Sequence, residues 1–341
     1  MKRILGLGAT LLLAGGLAQA QPAAPAGAPP TGLIVGSGNY FSPIVRDLDA
    51  AIAFYRDGLG LEVQGAPGDA SANPQLRDMF GLPDAQIRWA IARTPAMPGG
   101  VEMVEIKNAG GQPLERRLED PGAISFVATV RDLDGTLARL KALGAPMVSR
   151  SGGPVTIGAG TRIVIVKDPD GHFVELSQPA QVPSTAPAGN VIGVRLRLAV
   201  ADVETAARLY CDELGLQPRA ALGDYGNNAA VLDALGLASG QYRVAQQNVP
   251  TSGLMYDFVD FKGVERKNVQ GRIQDFGSTR VQLRVRDIEA AIAAFKRFGG
   301  EVVSTGGKSL ALPAGNSTLK VAIVRDPNNL FVVLIEAPPA G

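Results

Sequence analysis

The sequence of 341 residues predicts an α+β protein of four β-α-β-β-β modules, paired into two open, barrel-like domains. The main observation is an amphipathic helix pattern that occurs four times. Its copies start at Val45, Val130, Val200 and Val285. In the first copy Asp47 can cap the helix, because its carboxylate accepts hydrogen bonds from the free N–H groups of the first turn. Leu48, Ile52 and Tyr55 follow at helical spacing and form one apolar stripe.

Two constant spacings relate the four copies of this pattern. Asp47 and Asp202 lie 155 residues apart, and so do Asp132 and Asp287. Within each half, the two capping residues lie 85 residues apart. The second half of the chain therefore duplicates the first, and each half contains two modules.

Each module opens with a strand, continues with the capped helix and ends with shorter β-like runs. The second module shows these runs at residues 146–149, 161–167 and 172–176. A linker rich in Pro, Ala and Ser covers residues 179–189. We therefore expect one domain at residues 31–178 and a second at residues 190–338.

The N-terminus has the pattern of a secretory signal peptide over residues 1–20. Lys2 and Arg3 form its basic end, an apolar run follows, and Ala18-Gln19-Ala20 is a small-x-small cleavage site. The Pro/Ala-rich residues 21–30 are expected to be disordered. If the source is a Gram-negative bacterium, the mature protein is periplasmic.

Composition limits the partners of the mature chain. The net charge of +1 argues against nucleic acid or an anionic membrane as a partner. No later segment is long and apolar enough for a membrane span, which needs about 20 apolar residues. The expected partner is a small molecule, and the sequence does not indicate the oligomeric state.

Two motifs carry a resemblance to a known family. The first is the repeated V-x-D-hydrophobic-x-x-A-x-x-F/Y pattern, which ends in LGL in the copies at Val45 and Val200. The second is DPDGHFVEL at 168–176, with a degraded copy at 325–334. The chain from 31 to 338 resembles the vicinal oxygen chelate superfamily, which includes glyoxalase I, bleomycin-resistance proteins and extradiol dioxygenases. The resemblance implies that modules pair and that each pair cups a cavity.

The resemblance also implies where a metal would bind. In metal-dependent relatives each module supplies one ligand from its first strand, commonly His seven residues before the capping Asp. It supplies a second ligand, commonly Glu, from its last strand. The first-strand positions here are Tyr40, Ser125, Arg195 and Arg280, and the last-strand positions are Glu105, Glu175, Asp260 and Val333. No imidazole is present at these positions.

The single histidine of the chain, His172, lies three residues before Glu175 on the same strand. Residues three apart on a strand point to opposite faces, so His172 is not expected to bind a metal together with Glu175. We expect a surface residue at the end of a turn. Trp89, in the alternating strand QIRWAIAR, is expected to pack in the core.

Arginines dominate the first strands of modules three and four. Alternation predicts that Arg195, Arg197, Arg280, Gln282 and Arg284 face a cavity. Unpaired burial of charge is costly, so these arginines need counter-charges. Asp257 and Asp260 are the internal candidates, and an anionic small molecule is the external one.

Two functions remain open. The first is an exported, metal-independent small-molecule binder with degenerate metal sites and no cofactor, whose ligand contacts would come from Tyr40, Ser125, Arg195, Arg197, Arg280 and Arg284. The second is a metal-dependent lyase, isomerase or dioxygenase, in which Glu105 and Glu175 hold Mg²⁺, Mn²⁺ or Ca²⁺. Hard ions of this kind prefer oxygen ligands.

Overall fold

The computed structural model describes residues 31–64, 70–314 and 317–337. The expected signal peptide and the expected disordered segment at residues 21–30 lie outside the described residues. Within them, the predicted α+β architecture of four β-α-β-β-β modules is confirmed.

The first two modules contain the following elements. Module one has β1 (Ile34–Ser37), β2 (Ser42–Val45), α1 (Leu48–Ala53), β3 (Glu62–Gln64), α2 (Pro74–Phe80), β4 (Gln86–Thr94) and β5 (Met97–Lys107). Module two has β6 (Ile124–Val130), α3 (Leu133–Ala142), β7 (Val155–Ile157), β8 (Thr161–Lys167) and β9 (Phe173–Gln178).

The last two modules repeat this order. Module three has β10 (Val191–Ala199), α4 (Val203–Ala207), β11 (Gln217–Pro218), α5 (Ala229–Ala234), β12 (Gln241–Asn248) and β13 (Met255–Lys262). Module four has β14 (Thr279–Val285), α6 (Ile288–Arg297), β15 (Glu301–Val302), the 3₁₀ turn Thr305–Gly307, β16 (Leu310–Ala314), β17 (Ser317–Arg325) and β18 (Phe331–Glu336).

The four long helices begin where the sequence predicts. Asp47 accepts hydrogen bonds from the backbone N–H groups of Asp49 and Ala50. The carboxylates of Asp132, Asp202 and Asp287 each cap the first turn of their own helix in the same way. In modules one and three the helix continues as the π-helical turns Phe54–Gly58 and Arg208–Glu213.

The modules pair differently from the expected 31–178 and 190–338 domains. The first sheet has the order β15-β17-β18-β14-β2-β5-β4-β3 and joins module one to module four. The second sheet has the order β11-β12-β13-β10-β6-β9-β8-β7 and joins module two to module three. The expectation of consecutive pairing is therefore wrong. It failed because the modules are alike, so that local sequence does not select which first strands pair.

First strands from different modules form the centre of each sheet. In the second sheet β6 and β10 run antiparallel, with Ser125 opposite Arg197 and Thr129 opposite Gly193. In the first sheet β14 pairs with β2, and Arg280 lies opposite Ser42. These pairings decide which side chains share one face of a sheet.

A common core lies between the helix-covered faces of the two sheets. Buried side chains from all four modules form this core, including Phe126, Tyr210 and Phe258. The ring of Tyr40 stacks on Phe126 with centroids 6.0 Å apart, which joins modules one and two. The two sheets therefore pack as one body in spite of the crossed pairing.

His172 is buried in this arrangement, so the expectation of a surface residue is wrong. Its Nδ1 lies 2.9 Å from Asp168 Oδ2, and its Nε2 lies 3.1 Å from the carbonyl oxygen of Ser278 in module four. Burial alone would lower the pKa of His172, but the Asp168 carboxylate outweighs burial and raises it. The Tyr55 hydroxyl also donates to Asp168, at 3.1 Å. The histidine thus ties the turn before β9 to the other sheet.

No helix among residues 31–64, 70–314 and 317–337 is long and apolar enough to cross a membrane.

An engineered disulfide tests the crossed pairing. A Cβ built on Gly193 would lie 3.4 Å from the Cβ of Thr129, close to the separation of about 3.5–4.5 Å in disulfides. We expect the Thr129→Cys/Gly193→Cys variant, in a Cys211→Ser background, to form an intramolecular disulfide, seen by thiol counting and intact mass.

The control for this experiment pairs first strands that the fold separates. Gly36→Cys with Thr129→Cys places one cysteine in each of modules one and two, and the structure puts them in different sheets. Efficient cross-linking of this control, together with free thiols in the Thr129/Gly193 variant, would contradict the pairing.

Candidate functional site

Each sheet has one face covered by the long helices and an opposite face that we call a cup. Cup 1 is the face of the first sheet that carries Ile44, Val104 and Phe331, against which α2 packs. Cup 2 is the face of the second sheet that carries Ile165, Phe173 and Val259, against which α5 packs. Because side chains alternate along a strand, the polar residues in phase with these apolar ones also face the cups.

Cup 2 contains a closed network of two arginines and two carboxylates. Arg197 Nη1 hydrogen-bonds Glu175 Oε2, and Arg197 Nη2 lies 3.7 Å from Asp257 Oδ2. Arg195 Nε lies 3.0 Å from Asp257 Oδ2, and its Nη2 lies 3.6 Å from Glu175 Oε1. Gln246 Nε2 donates to Asp257 at 3.1 Å. The charges in this network balance.

The network keeps Arg197 charged although its side chain is buried. Burial would lower the pKa of Arg197, but the carboxylates of Glu175 and Asp257 outweigh burial and raise it. The structure thus supplies internal counter-charges from Glu175 and Asp257. Asp260, the other expected counter-charge, instead lies on the helix-covered face and accepts a hydrogen bond from Val203 N.

Cup 1 contains a smaller polar cluster around Glu102. The carboxylate of Glu102 accepts hydrogen bonds from Gln282 Nε2 at 2.7 Å, Ser42 Oγ at 3.2 Å and Asn39 Nδ2 at 3.3 Å. Arg280 Nη2 lies 3.5 Å from Glu102 Oε2, and the Arg280 guanidinium lies on the ring of Phe80, 4.6 Å from its centroid.

Arg280 is less well compensated than the arginines of cup 2. Its side chain is 1% exposed, and burial lowers its pKa. Among the described residues Glu102 supplies its single ion pair, whereas Arg195 and Arg197 each lie near two carboxylates. Cup 1 therefore has a guanidinium with donor capacity left for a further acceptor.

The two cups differ in how far a short helix fills them. In cup 2, α5 buries Val231, Leu232 and Ala234 and packs against β7 and β8. In cup 1, α2 buries only Phe80. Cup 1 is the more open of the two.

Trp89 lies on the wall of cup 1, and the expectation that it packs in the core is wrong. It stands on β4 opposite Val104, in phase with Ile87 of the cup 1 cluster, and is 45% exposed. Two residues further along β4, Ile91 stands opposite Glu102. An exposed indole therefore adjoins the polar cluster of Glu102.

Glu105 points away from both cups. Its Oε1 accepts from the backbone N–H of Leu48 at 3.4 Å, and Arg88 Nη2 lies 3.3 Å from the same oxygen. Burial would raise the pKa of Glu105, but hydrogen bonding and attraction by Arg88 outweigh burial and lower it. Asp260 does the same in module three, where it accepts from Val203 N at 3.0 Å. These carboxylates anchor helix N-termini to the sheets.

The expected metal pair is thus not assembled. Glu105 lies on the helix-covered face of the first sheet, whereas Glu175 lies in cup 2 of the second sheet. Glu175 faces a cup, but the guanidinium of Arg197 already supplies the positive charge that a metal ion would bring to this carboxylate. Among the described residues, no group of three or more His, Cys, Asp and Glu side chains could hold a metal ion. The donor set does not fit the metal site that the resemblance implies.

The six expected ligand-binding residues fall into four places. Ser125, Arg195 and Arg197 lie in cup 2, and Arg280 lies in cup 1. Tyr40 is fully buried in the common core, and its hydroxyl has no hydrogen-bond partner among the residues that the structure describes. Arg284 is exposed at the end of β14. The structure therefore does not bring all six to one cavity.

Sequence reasoning missed the importance of Glu102, although one sequence feature identifies it. Glu102 and Asp257 lie 155 residues apart, so they occupy the same place in the duplicated halves. Both face a cup and both pair with arginine there.

Comparison with known proteins agrees with the architecture. Residues 39–176 match the family model of the Glyoxalase/Bleomycin resistance protein/Dioxygenase superfamily. Glyoxalase I from Zea mays is 19% identical, with a TM-score of 0.55 over 88% of this chain and 92% of that chain. A putative dioxygenase from Bacillus subtilis is 15% identical, with a TM-score of 0.51 over 91% of this chain and 87% of that chain.

At these identities the structural likeness shows the fold and not the activity. No curated protein sequence matches the chain significantly.

A double-mutant cycle tests the network in cup 2. Arg197→Met should lower the free energy of unfolding by about 3–5 kcal/mol, because Glu175 and Asp257 lose a buried counter-charge. Adding Glu175→Gln should restore part of this loss, with a coupling energy above about 1 kcal/mol in urea unfolding.

The control cycle uses Asp134→Asn and Arg162→Met at a surface pair. The side chains of this pair are 70% and 37% exposed. Exposed pairs couple by less than about 1 kcal/mol. Equal coupling energies in the two cycles would mean that the network in cup 2 is no stronger than a surface contact.

Proposed function

We propose that the chain is an exported, metal-independent small-molecule-binding protein of the glyoxalase/bleomycin resistance protein/dioxygenase superfamily, also called the vicinal oxygen chelate superfamily, whose family model matches residues 39–176. The observation that carries the proposal is the pairing of cup carboxylates with arginine. Glu175 bonds Arg197 in cup 2, and Glu102 lies beside Arg280 in cup 1.

The physical argument concerns the charge at each cup. A divalent ion at Glu175 would have to displace Arg197, whose side chain is 5% exposed. The displaced guanidinium would then be a buried charge without a partner, which costs several kcal/mol. An arginine in this place thus favours a site that works without metal.

Cup 1 is the ligand site that the geometry supports. Trp89 offers an exposed aromatic face, and Arg280 has one carboxylate partner among the described residues. Glu102 is 20% exposed and can accept a hydrogen bond from a ligand. We expect a compact ligand with a flat apolar part, which packs on the indole, and an acceptor or anionic group, which binds the guanidinium.

Cup 2 has less to offer a ligand. Its arginines already bind Glu175 and Asp257, and α5 covers its apolar floor. We therefore assign it a structural role beside the binding role of cup 1.

Metal content tests the first part of this proposal. We expect mature protein, purified without chelator or affinity metal, to contain far less than stoichiometric metal by elemental analysis. We also expect Mg²⁺, Mn²⁺ or Ca²⁺ to leave its unfolding temperature unchanged. Near-stoichiometric metal that is lost in Glu175→Gln, but retained in the matched Glu105→Gln variant, would instead support the metal-dependent enzyme.

Fluorescence tests the second part, because Trp89 is the only tryptophan of the chain. Screening small aromatic carboxylates should yield compounds that change Trp89 emission in a saturable way. Glu102→Gln should tighten such binding about tenfold, because it removes a carboxylate that repels an anionic ligand and competes with it for Arg280.

The control is Asp257→Asn, which alters the corresponding carboxylate of cup 2. This variant should leave the dissociation constant unchanged if its circular dichroism spectrum matches the wild type. An equal change of the dissociation constant in both variants, or a ligand that binds without any change in Trp89 emission, would argue against cup 1 as the site.

A further inference from the structure

A charged cavity lies outside both cups, at a place that we call the seam. At the seam the connection between modules one and two, residues 112–120, crosses the connection between modules three and four, residues 267–277. Leu114 N donates to the Phe276 carbonyl at 2.8 Å, and Lys267 N donates to Asp120 at 2.7 Å. The cavity has a volume of about 660 Å³. This volume lies in the range of small-molecule sites, about 300–1,000 Å³.

Cations outnumber carboxylates on the wall of this cavity. The lining cations are Arg46, Arg116, Arg117, Lys167 and Lys267, and the lining carboxylates are Glu115, Asp120 and Asp170. Arg117 pairs with Asp120 at 3.0 Å, and Arg46 lies 3.7 Å from Asp170. Within the described residues, the side chains of Arg116, Lys167 and Lys267 form no ion pair. Glu115 is the one lining carboxylate left to offset their charge.

Arg116 is the least compensated of these cations. Its Nη1 donates to the Gly122 carbonyl at 2.9 Å and its Nη2 to the Val269 carbonyl at 2.7 Å, and its buried Nε has no partner. These acceptors are neutral, and burial lowers the pKa of Arg116 to about 10. A cation removed from water without a carboxylate partner is unfavourable, and an anion in the cavity would offset that cost.

The duplication shows that the fold does not require these cations. At the offset of 155 residues, Arg46, Arg116 and Lys267 correspond to Ala201, Gly271 and Gln112. The second copy of the seam thus forms the same crossing without positive side chains at these three positions. Arg117 and Lys167 do have positive counterparts, Arg272 and Arg325. The three cations that are present on one side only point to a ligand rather than to folding.

We infer that the seam cavity is a binding site for a small, multiply charged oxyanion, contacted by Lys167, Lys267 and Arg46 beside the half-buried Arg116. Lysine ammonium groups act as mobile point charges and suit phosphate or clustered carboxylate groups. This site is separate from cup 1 and does not depend on its proposed ligand.

Calorimetric titration of the full mature chain tests this inference. The probes are pyrophosphate, citrate and inorganic phosphate. Ionic strength is held constant, because a change in salt would by itself change the electrostatic attraction between probe and protein. We expect saturable binding of at least one probe at one site per chain. The Lys167→Gln/Lys267→Gln variant should bind it about tenfold more weakly, as expected when two charge contacts are lost.

The matched control removes two positive charges elsewhere. Lys141→Gln/Lys308→Gln alters two exposed lysines that do not line the cavity. It should bind like the wild type, and so should Glu102→Gln, whose change lies in cup 1. A preference for pyrophosphate over citrate would assign the site to phosphate groups, and the reverse would assign it to carboxylates.

Two results would overturn the inference. One is the absence of saturable binding of all three probes to the wild type. The other is equal weakening in the control and in the Lys167→Gln/Lys267→Gln variant, which would mean that net charge alone attracts the anions. Because Glu102→Gln and Trp89 emission report on cup 1, failure at the seam is distinguishable from failure of the proposed function.

Discussion

The pairing of first strands from different modules is the constraint on which the rest of the structure depends. Strand β6 pairs with β10, so the second sheet combines modules two and three. Strand β14 pairs with β2, so the first sheet combines modules four and one. These contacts determine which arginine faces which carboxylate. With consecutive pairing, Arg197 would not meet Glu175, and Arg280 would not meet Glu102.

In both sheets an arginine of one first strand lies opposite a serine of the other, but different modules supply them. In the second sheet Arg197 comes from module three and lies opposite Ser125 of module two. In the first sheet Arg280 comes from module four, the copy of module two, and lies opposite Ser42 of module one. At the offset of 155 residues, Arg197 corresponds to Ser42 and Arg280 corresponds to Ser125. In each cup the second half of the chain therefore supplies the arginine and the first half supplies the serine. A guanidinium needs a carboxylate near it in either case, because a buried unpaired charge is costly.

The remaining difference between the cups concerns exposure. In cup 2 two arginines and two carboxylates balance one another in charge, under a helix that buries three side chains. In cup 1 the single Arg280 is only partly satisfied, and Trp89 remains exposed beside it. A balanced, covered network favours stability, whereas unused donors beside an aromatic surface favour recognition.

The sequence by itself determined the modules, the capped helices and the resemblance to the family, because these depend on local spacing and on repetition. It also located the arginines on the first strands. It did not determine the phase of Glu105, because both faces of β5 are largely buried and the alternation of polar and apolar residues is lost there. Nor did it reveal the exposure of Trp89 or the burial of His172, which depend on neighbours from other modules.

Only the tertiary structure decided the pairing of modules and therefore the composition of each cup. Four similar modules offer several ways to join first strands, and local sequence favours none of them. The choice depends on contacts between residues far apart in the chain, such as Tyr40 with Phe126 and His172 with Ser278. For the same reason, the cationic seam became visible only after the two crossing connections were placed together.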